Sequence, residues 1–347
     1  MLKKLKIGIV GCGNISPIYV ENIKAFEQIE VSACCDVDIK KAEQLASQFN
    51  ITYKKNLKEL LADPDISIVL NLTNPNAHSE ISIESLKAGK NVYSEKPLAI
   101  NTKEAKKIIQ TAQDKNLLVG CAPDSFLATT FQKAKKIIKE DIIGKPIAVN
   151  AFMMGQPPET WHPNPAFLYQ KGAGPMFDMG PYYLTVLIEL LGPIKSVSST
   201  AITPFTERTI TSKLLYGQKI KVETPTYVLG ILNFESGSIG TITTTYDVWA
   251  CELPFIEIYG TKGTISLHNP NHYEGIIKIY LKATEKWDNI VIAPEITDKR
   301  GLGIADMATA LIHGKEHQAN TTKAYHVLSL LEAIVQGSKT TSVPDFN

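Results

Sequence analysis

Neither sign of charge is in excess in this sequence: 36 lysines and arginines stand against 35 aspartates and glutamates, for a net charge of +1. So balanced a chain has no long-range field to gather nucleic acid or an anionic membrane, and neither is expected as a partner. Long apolar runs are missing as well. The N-terminal lysines lead only into Ile7-Gly8-Ile9-Val10, too short for a signal-peptide core or a membrane span. Cysteine is scarce: Cys12, Cys34, Cys35, Cys121 and Cys251 are odd in number and lack C-x-x-C spacing, so they offer neither a disulfide framework nor a zinc site. Set in apolar or glycine-rich surroundings, they read as small hydrophobes. No cluster of His, Cys and carboxylate has metal-site spacing, and no catalytic metal is expected. Together these absences predict a protein of the reducing cytoplasm. What is present, 44% hydrophobic and 20% charged residues in 347, is the balance of a soluble globular protein with room for two cores.

The first half alternates strands and helices. Leu5 to Val10 is a β-branched run ending in Gly11-Cys12-Gly13-Asn14-Ile15-Ser16, and a helical pattern through Tyr19, Ile23 and Phe26 follows. Strand, glycine turn and helix make a dinucleotide fingerprint: Gly11 for the tight turn, Gly13 for close approach of a pyrophosphate, and Asn14 and Ile15 leading into the helix start. Ser16 replaces the third glycine and is small enough for close helix packing. A second strand, Val31 to Cys35, ends in Asp36, placed to accept the adenosine ribose hydroxyls. An acid there repels a 2′-phosphate, and Val37 and Asp38 supply no arginine, so NAD is expected over NADP; Asp36 also suits a helix N-cap. Helices over Asp38 to Gln48 and Asn56 to Leu61, a fully apolar strand Ile66 to Leu72, a helix Glu80 to Ala88, a strand ending before Lys96, a helix Thr102 to Asp114 and a strand Leu117 to Cys121 continue the series. Runs apolar on both faces belong to a parallel sheet covered by helices, the doubly wound Rossmann architecture. Ligands bind beyond the carboxyl ends of such strands. Lys96, in Tyr93-Ser94-Glu95-Lys96-Pro97, stands at one of those ends, with Thr73, Asn74 and His78 on the same rim. A solvated lysine and a helix-start histidine are the plainer readings of Lys96 and His78.

From Gly144-Lys145-Pro146 onward the texture changes. β-Branched or alternating runs at Ile147 to Met154, Ile194 to Ala201, Lys219 to Phe234, Ser238 to Asp247, Phe255 to Leu267 and Ile276 to Ala283 lack regular intervening helices and predict a largely antiparallel open sheet. The main helix of this half is expected at Met176 to Leu191, and C-terminal helices at Ile304 to Ile312 and Lys323 to Gly337. The division expected is 1–122 for the NAD-binding domain and 123–347 for an α+β domain that binds substrate and makes oligomer contacts, with the C-terminal helices able to pack back on the first. Before the main helix of this half, Trp161, His162 and Asn164 lie in a proline-stiffened segment, Gln156 to Pro165. Aromatic rings cover the apolar faces of sugars, and His and Asn give directional hydrogen bonds, although an ordered loop with a buried Trp fits the same residues. Asp124, Asp247 and Trp249 are weaker candidates of this kind.

Gly11-x-Gly13 with Asp36, the Thr73-to-His78 turn and Glu95-Lys96-Pro97 resemble the Gfo/Idh/MocA oxidoreductases, the glucose-fructose oxidoreductase and inositol dehydrogenase family. The likeness covers nearly the whole chain. The family's second motif, three glycines and then Asp-x-Gly-x-His, corresponds to Gly172-Ala173-Gly174-Pro175-Met176-Phe177-Asp178-Met179-Gly180-Pro181-Tyr182, with tyrosine where histidine is common. Asp178 and Tyr182, four apart, share a helix face; Pro181 removes one hydrogen bond from that helix. The resemblance implies a cis Lys96-Pro97 bond, NAD held by the glycine turn, Asp36, the Thr73-to-His78 rim and Glu95 to Pro97, a sugar, inositol, polyol or glycoside substrate, and a homodimer or homotetramer. It implies catalysis by Lys96, Asp178 and Tyr182, with Lys96 or Tyr182 taking the hydroxyl proton and Asp178 orienting substrate or base; a lysine ammonium beside a phenol favours the phenolate. Two rivals are a redox glycosidase that uses bound NAD transiently and a dinucleotide-binding regulator without activity.

Overall fold

The computed structural model describes residues 4–337 and 341–342. The chain forms two compact units, one of Met1–Ala128 with Pro294–Leu328 and one of Thr129–Ala293 with Ser329–Asn347.

In the first unit, β1 (Leu5–Val10), β2 (Ile29–Cys35), β3 (Thr52–Tyr53), β4 (Ile66–Asn71), β5 (Asn91–Ser94) and β6 (Val119–Cys121) form one sheet in the order β3-β2-β1-β4-β5-β6. Every pairing in it is parallel. Ile7, Ile9, Ile68, Val69, Leu70 and Val92 are fully buried, as a sheet covered on both faces requires. The helices are α1 (Ser16–Ile23), α2 (Ile39–Phe49), α3 (Leu57–Leu61), α4 (Pro75–Lys87) and α5 (Thr102–Lys115). Their starts are chemical: Asp38, Asn56 and Asn101 each accept a first-turn amide with the side chain, and α2 and α5 stop at Asn50 and Asn116 in the left-handed conformation. α4 begins at Pro75 rather than at the expected Glu80, because a proline follows extended Asn74 and occupies the first helical position, where its missing N–H is harmless. His78 is therefore a helical residue.

The second unit holds α6 (Thr129–Lys139), α7 (Gly174–Leu191) and strands β7 (Pro146–Met154), β8 (Ile194–Ile202), β9 (Glu207–Thr209), β10 (Lys219–Lys221), β11 (Tyr227–Phe234), β12 (Ile239–Thr245), β13 (Ile256–Gly260), β14 (Gly263–Leu267), β15 (Ile276–Leu281), β16 (Lys286–Val291) and β17 (Thr341–Ser342). Nine of these make one sheet, β16-β15-β14-β13-β7-β12-β11-β8-β17, while β9 and β10 pair apart from it. The sheet is antiparallel except for β7 and β12, which pair in parallel. The run expected from Lys219 to Phe234 is two strands, since Thr224-Pro225 cannot continue the ladder. α6 and β16 were not expected. Along β11, Val228, Leu232 and Phe234 are buried while Leu229 and Ile231 are exposed, so one face of the sheet is core and the other is open in a single chain. α7 runs through Pro181 and buries Tyr182, Tyr183, Leu184, Val186 and Leu187.

Two helices close the chain. α8 (Leu302–His313) and the first part of α9 (Thr321–Val335) lie in the stretch that rejoins the first unit. By compactness the chain divides after Ala128, and Pro294–Leu328 belongs with the first unit.

Candidate active site

Because the first sheet is parallel, the turns after β1, β4 and β5 leave it at the same edge, and β1 and β4 flank the point where strand order reverses. Gly11 sits there with φ +98°, and a Cβ on it would lie 2.7 Å from the Leu72 carbonyl carbon. Only glycine fits. A Cβ on Gly13 would meet nothing within 4 Å, which leaves a clear approach to the backbone at the start of α1. Ser16 is fully buried and its hydroxyl donates to the Gly13 carbonyl at 2.8 Å, so the residue in place of the third glycine ties the turn to the helix. Asp36 accepts from the Cys12 amide at 2.7 Å and from the Asp38 amide at 2.8 Å, fixing its carboxylate against the glycine turn. The open cradle at Gly13, the helix start behind it and the clamped acid fit a dinucleotide, with Gly11, Gly13, Asn14, Ile15 and Asp36 as the residues to hold it.

The next turn is organised by a residue that the sequence reading passed over. Asn71, fully buried at the end of β4, takes the Thr73 hydroxyl on Oδ1 at 2.7 Å and donates from Nδ2 to the His78 carbonyl and the Ser82 hydroxyl. A polar residue inside an otherwise apolar strand was its signal. His78 is also fully buried, with Nδ1 2.7 Å from the Pro97 carbonyl and Nε2 3.0 Å from that of Thr73. Burial pushes its pKa below the ordinary value, against the pull of the two carbonyls. The ring thus braces the Thr73 turn against Pro97. Asn74 stands at the N-cap of α4.

Lys96 follows β5 and is half-buried, and its bond to Pro97 is cis, as the resemblance implies. Its neighbour Glu95 is buried and engaged: Oε1 accepts the Tyr19 hydroxyl at 2.8 Å and Arg300 Nη1 at 2.9 Å, and Oε2 accepts the Lys96 amide at 3.1 Å. Burial and the Glu95 charge push the Tyr19 phenol well above its usual range, which keeps it a donor. Glu95 therefore holds the backbone that carries Lys96. Asp124 is buried too, and its Oδ2 accepts the Gly301 and Gly303 amides, both at 2.9 Å, at the start of α8. That carboxylate anchors the start of the helix.

In the second unit, Asp178 and Tyr182 lie one turn apart on α7, half-buried and buried respectively. Asp178 Oδ2 accepts the Tyr246 hydroxyl at 3.0 Å. Trp161 is exposed rather than buried, and His162 stands edge-on to both Trp161 and Phe167, at 5.5 and 5.4 Å. The Asn164 amide donates to His162 Nδ1 at 3.0 Å, which places the ring proton on Nε2. Asp247 is engaged by Arg208 and by the Thr226 hydroxyl, and the Trp249 carbonyl accepts from Gln156.

Residues 5–122 match the oxidoreductase family with an NAD-binding Rossmann fold, and residues 131–266 match the GFO/IDH/MocA C-terminal domain. The chain is 26% identical over 267 residues to myo-inositol 2-dehydrogenase of Thermotoga maritima, covering 76% of this chain and 75% of that one. Among solved structures, levoglucosan dehydrogenase in complex with NADH and levoglucosan superposes with a TM-score of 0.86 at 20% identity, over 99% of this chain and all of the other. An NAD-binding oxidoreductase from Klebsiella pneumoniae gives the same TM-score at 21% identity over 99% of both. With matched glycine turn, Glu-Lys-Pro segment and C-terminal domain, the chain belongs to the Gfo/Idh/MocA family of NAD-binding oxidoreductases.

Proposed function

We propose that this protein is a cytoplasmic, NAD-preferring dehydrogenase that oxidises a hydroxyl of a sugar, inositol, other polyol or glycoside, with Lys96, Asp178 and Tyr182 as its catalytic residues. The observation that carries this reading is the seating of Lys96: a half-buried lysine at a strand end on the same sheet edge as the glycine turn, its backbone fixed by a carboxylate that Tyr19 and Arg300 hold in turn. Bound NAD supplies the hydride acceptor. The protein's part is to orient the alcohol and move its proton: the hydroxyl proton passes to Lys96 or Tyr182, and Asp178 orients the substrate or the base. Trp161, His162 and Asn164 offer an exposed ring and directed polar groups to a hydroxylated substrate. The named activities of the relatives, on myo-inositol and levoglucosan, support the substrate class.

Preference for NAD rests on Asp36, a carboxylate on the rim followed by a fully exposed Val37 and by Asp38, neither of them an arginine to hold a 2′-phosphate. Four of the five thiols are buried, and burial pushes that of Cys35 up to about 12, which suits a reducing compartment. The open face of the second-unit sheet, with Ile202, Leu229, Ile231 and Ile239 exposed, supports a homodimer or homotetramer joined there; light scattering that returned a 38.2 kDa particle would exclude it.

The function is tested by following NADH at 340 nm from NAD or NADP over inositols, aldoses, alditols, levoglucosan and simple glycosides, with product chromatography. NADH from NAD and one polyol class is the expected result, and Asp36→Ser should narrow the NAD-to-NADP preference. Glycoside loss without NADH would favour the redox glycosidase, and NAD binding without any reaction would favour the regulator.

A further inference from the structure

The second unit contains a buried polar chain to which the proposed chemistry assigns no task. Arg208, 9% exposed, lies between two carboxylates: Nη1 donates to Glu159 Oε1 at 3.2 Å and Nη2 to Asp247 Oδ1. Thr226 donates to Asp247 Oδ2 at 2.7 Å, and the Tyr169 hydroxyl donates to Glu159 Oε2. The Tyr169 ring meets that of Tyr246 edge to face at 6.1 Å, and the Tyr246 hydroxyl donates to Asp178 Oδ2 at 3.0 Å. The chain thus runs from the β9–β10 hairpin, through the segment that carries Trp161, to the carboxylate on α7.

A buried ion cluster contributes little net stability, because loss of hydration offsets most of the attraction, and apolar residues of like volume often do as well. What it fixes is geometry. Tyr246 is 4% exposed, packs with Leu168, Tyr169, Ile210 and Ile220, and donates its own amide to the Thr226 carbonyl at 3.1 Å. Its ring has one place to lie. Burial and the Asp178 charge push the phenol well above its usual range, so at working pH it donates a proton and does not accept one. A fixed donor 3.0 Å from one oxygen favours the Asp178 rotamer that meets it.

We propose that Tyr246 is the positioning residue of Asp178: its hydroxyl sets the carboxylate toward the reacting alcohol, and the chain through Tyr169, Glu159 and Arg208 holds Tyr246 where it can do so. This inference rests on the reading of Asp178 as a site residue. It is tested with wild type, Tyr246→Phe, Asp178→Asn and the double variant, on the panel substrate with the highest turnover, together with crystal structures of wild type and Tyr246→Phe. The expected result is a roughly tenfold fall in kcat for Tyr246→Phe, the equivalent of one charge-assisted hydrogen bond, with NADH affinity within about twofold of wild type as a binding-neutral change implies. Asp178→Asn should lose more, and adding Tyr246→Phe to it should lose nothing further, since a residue that acts only through Asp178 has no effect once that carboxylate is gone. In the Tyr246→Phe crystal the Asp178 carboxylate should leave its wild-type rotamer. An unmoved carboxylate, an unchanged kcat, or a double variant slower than Asp178→Asn by the full tenfold would overturn the proposal. Full turnover in Asp178→Asn would overturn it from the other end, as a failure of the site reading, and the crystal comparison would still show whether Tyr246 holds the side chain. If Tyr246→Phe does not fold, Arg208→Met stands in, with the same fall in kcat, the same NADH affinity and the same loss of effect in the Asp178→Asn background.

Discussion

Arg300 donates from Nη1 to Glu95 Oε1 at 2.9 Å, across 205 positions of the chain. The stretch that rejoins the first unit after the whole of the second thereby braces the strand end that carries Lys96. Asp124 anchors the same stretch through the Gly301 and Gly303 amides.

Removing the cation leaves Glu95 buried without its charged partner. Arg300→Met should lower unfolding free energy by about 3 kcal/mol, in the range for breaking one side of a buried pair, and Arg300→Lys should recover part of it. Urea unfolding measures both. A change within about 0.5 kcal/mol, the usual size for a surface substitution, would mean that the pair does not brace the motif.

The two turn glycines should separate stability from binding. Gly11→Ala meets a positive φ and the Leu72 backbone, so it should destabilise the protein by about 2 kcal/mol or more and broaden its thermal transition. Gly13→Ala meets nothing in the protein and should keep the wild-type melting temperature while weakening NADH binding at least tenfold, as read by NADH fluorescence. Wild-type affinity in Gly13→Ala would place the dinucleotide elsewhere.

Much of the first unit was legible because its chemistry repeats in sequence. Gly11 and Gly13 form a strand-turn-helix with Asp36 clamped against it, and the apolar strands can belong only to a covered sheet. Lys96 was legible by its place at a strand end. Its supports were not: Tyr19 looks like any buried aromatic of an amphipathic helix, and Arg300 lies beyond an entire second unit. Arg208 and Tyr246 were equally silent, because each becomes polar-partnered only when strands far apart in sequence meet. At Asp124 and His78 the structure adds what chain order hides: backbone amides on the one and backbone carbonyls on the other. The helix α6 was not expected although Phe131, Ala134 and Ile137 recur at helical spacing.

Acid should unfold the protein through its buried imidazoles. Burial pushes the His326 pKa down to about 4, from an ordinary 6.5, and lowers those of His78 and His317 as well. The unfolded chain therefore binds more protons below about pH 6.5, and stability present above that pH is lost as pH falls toward 4. In His326→Gln the slope of unfolding free energy between pH 4.5 and 6 should fall by up to about 1.4 kcal/mol per pH unit, the value for one proton. An unchanged slope would show that His326 does not titrate in this way.

The central claim, that Lys96 works on an alcohol beside NAD, is tested most directly by Lys96→Met alongside wild type, with NADH formation at 340 nm on the best panel substrate and NADH binding by fluorescence. The account predicts a loss of kcat of about 10²- to 10⁴-fold, the range for removing a proton-transfer group, with NADH affinity nearly unchanged. Near-normal turnover in Lys96→Met, at unchanged substrate affinity, would contradict it.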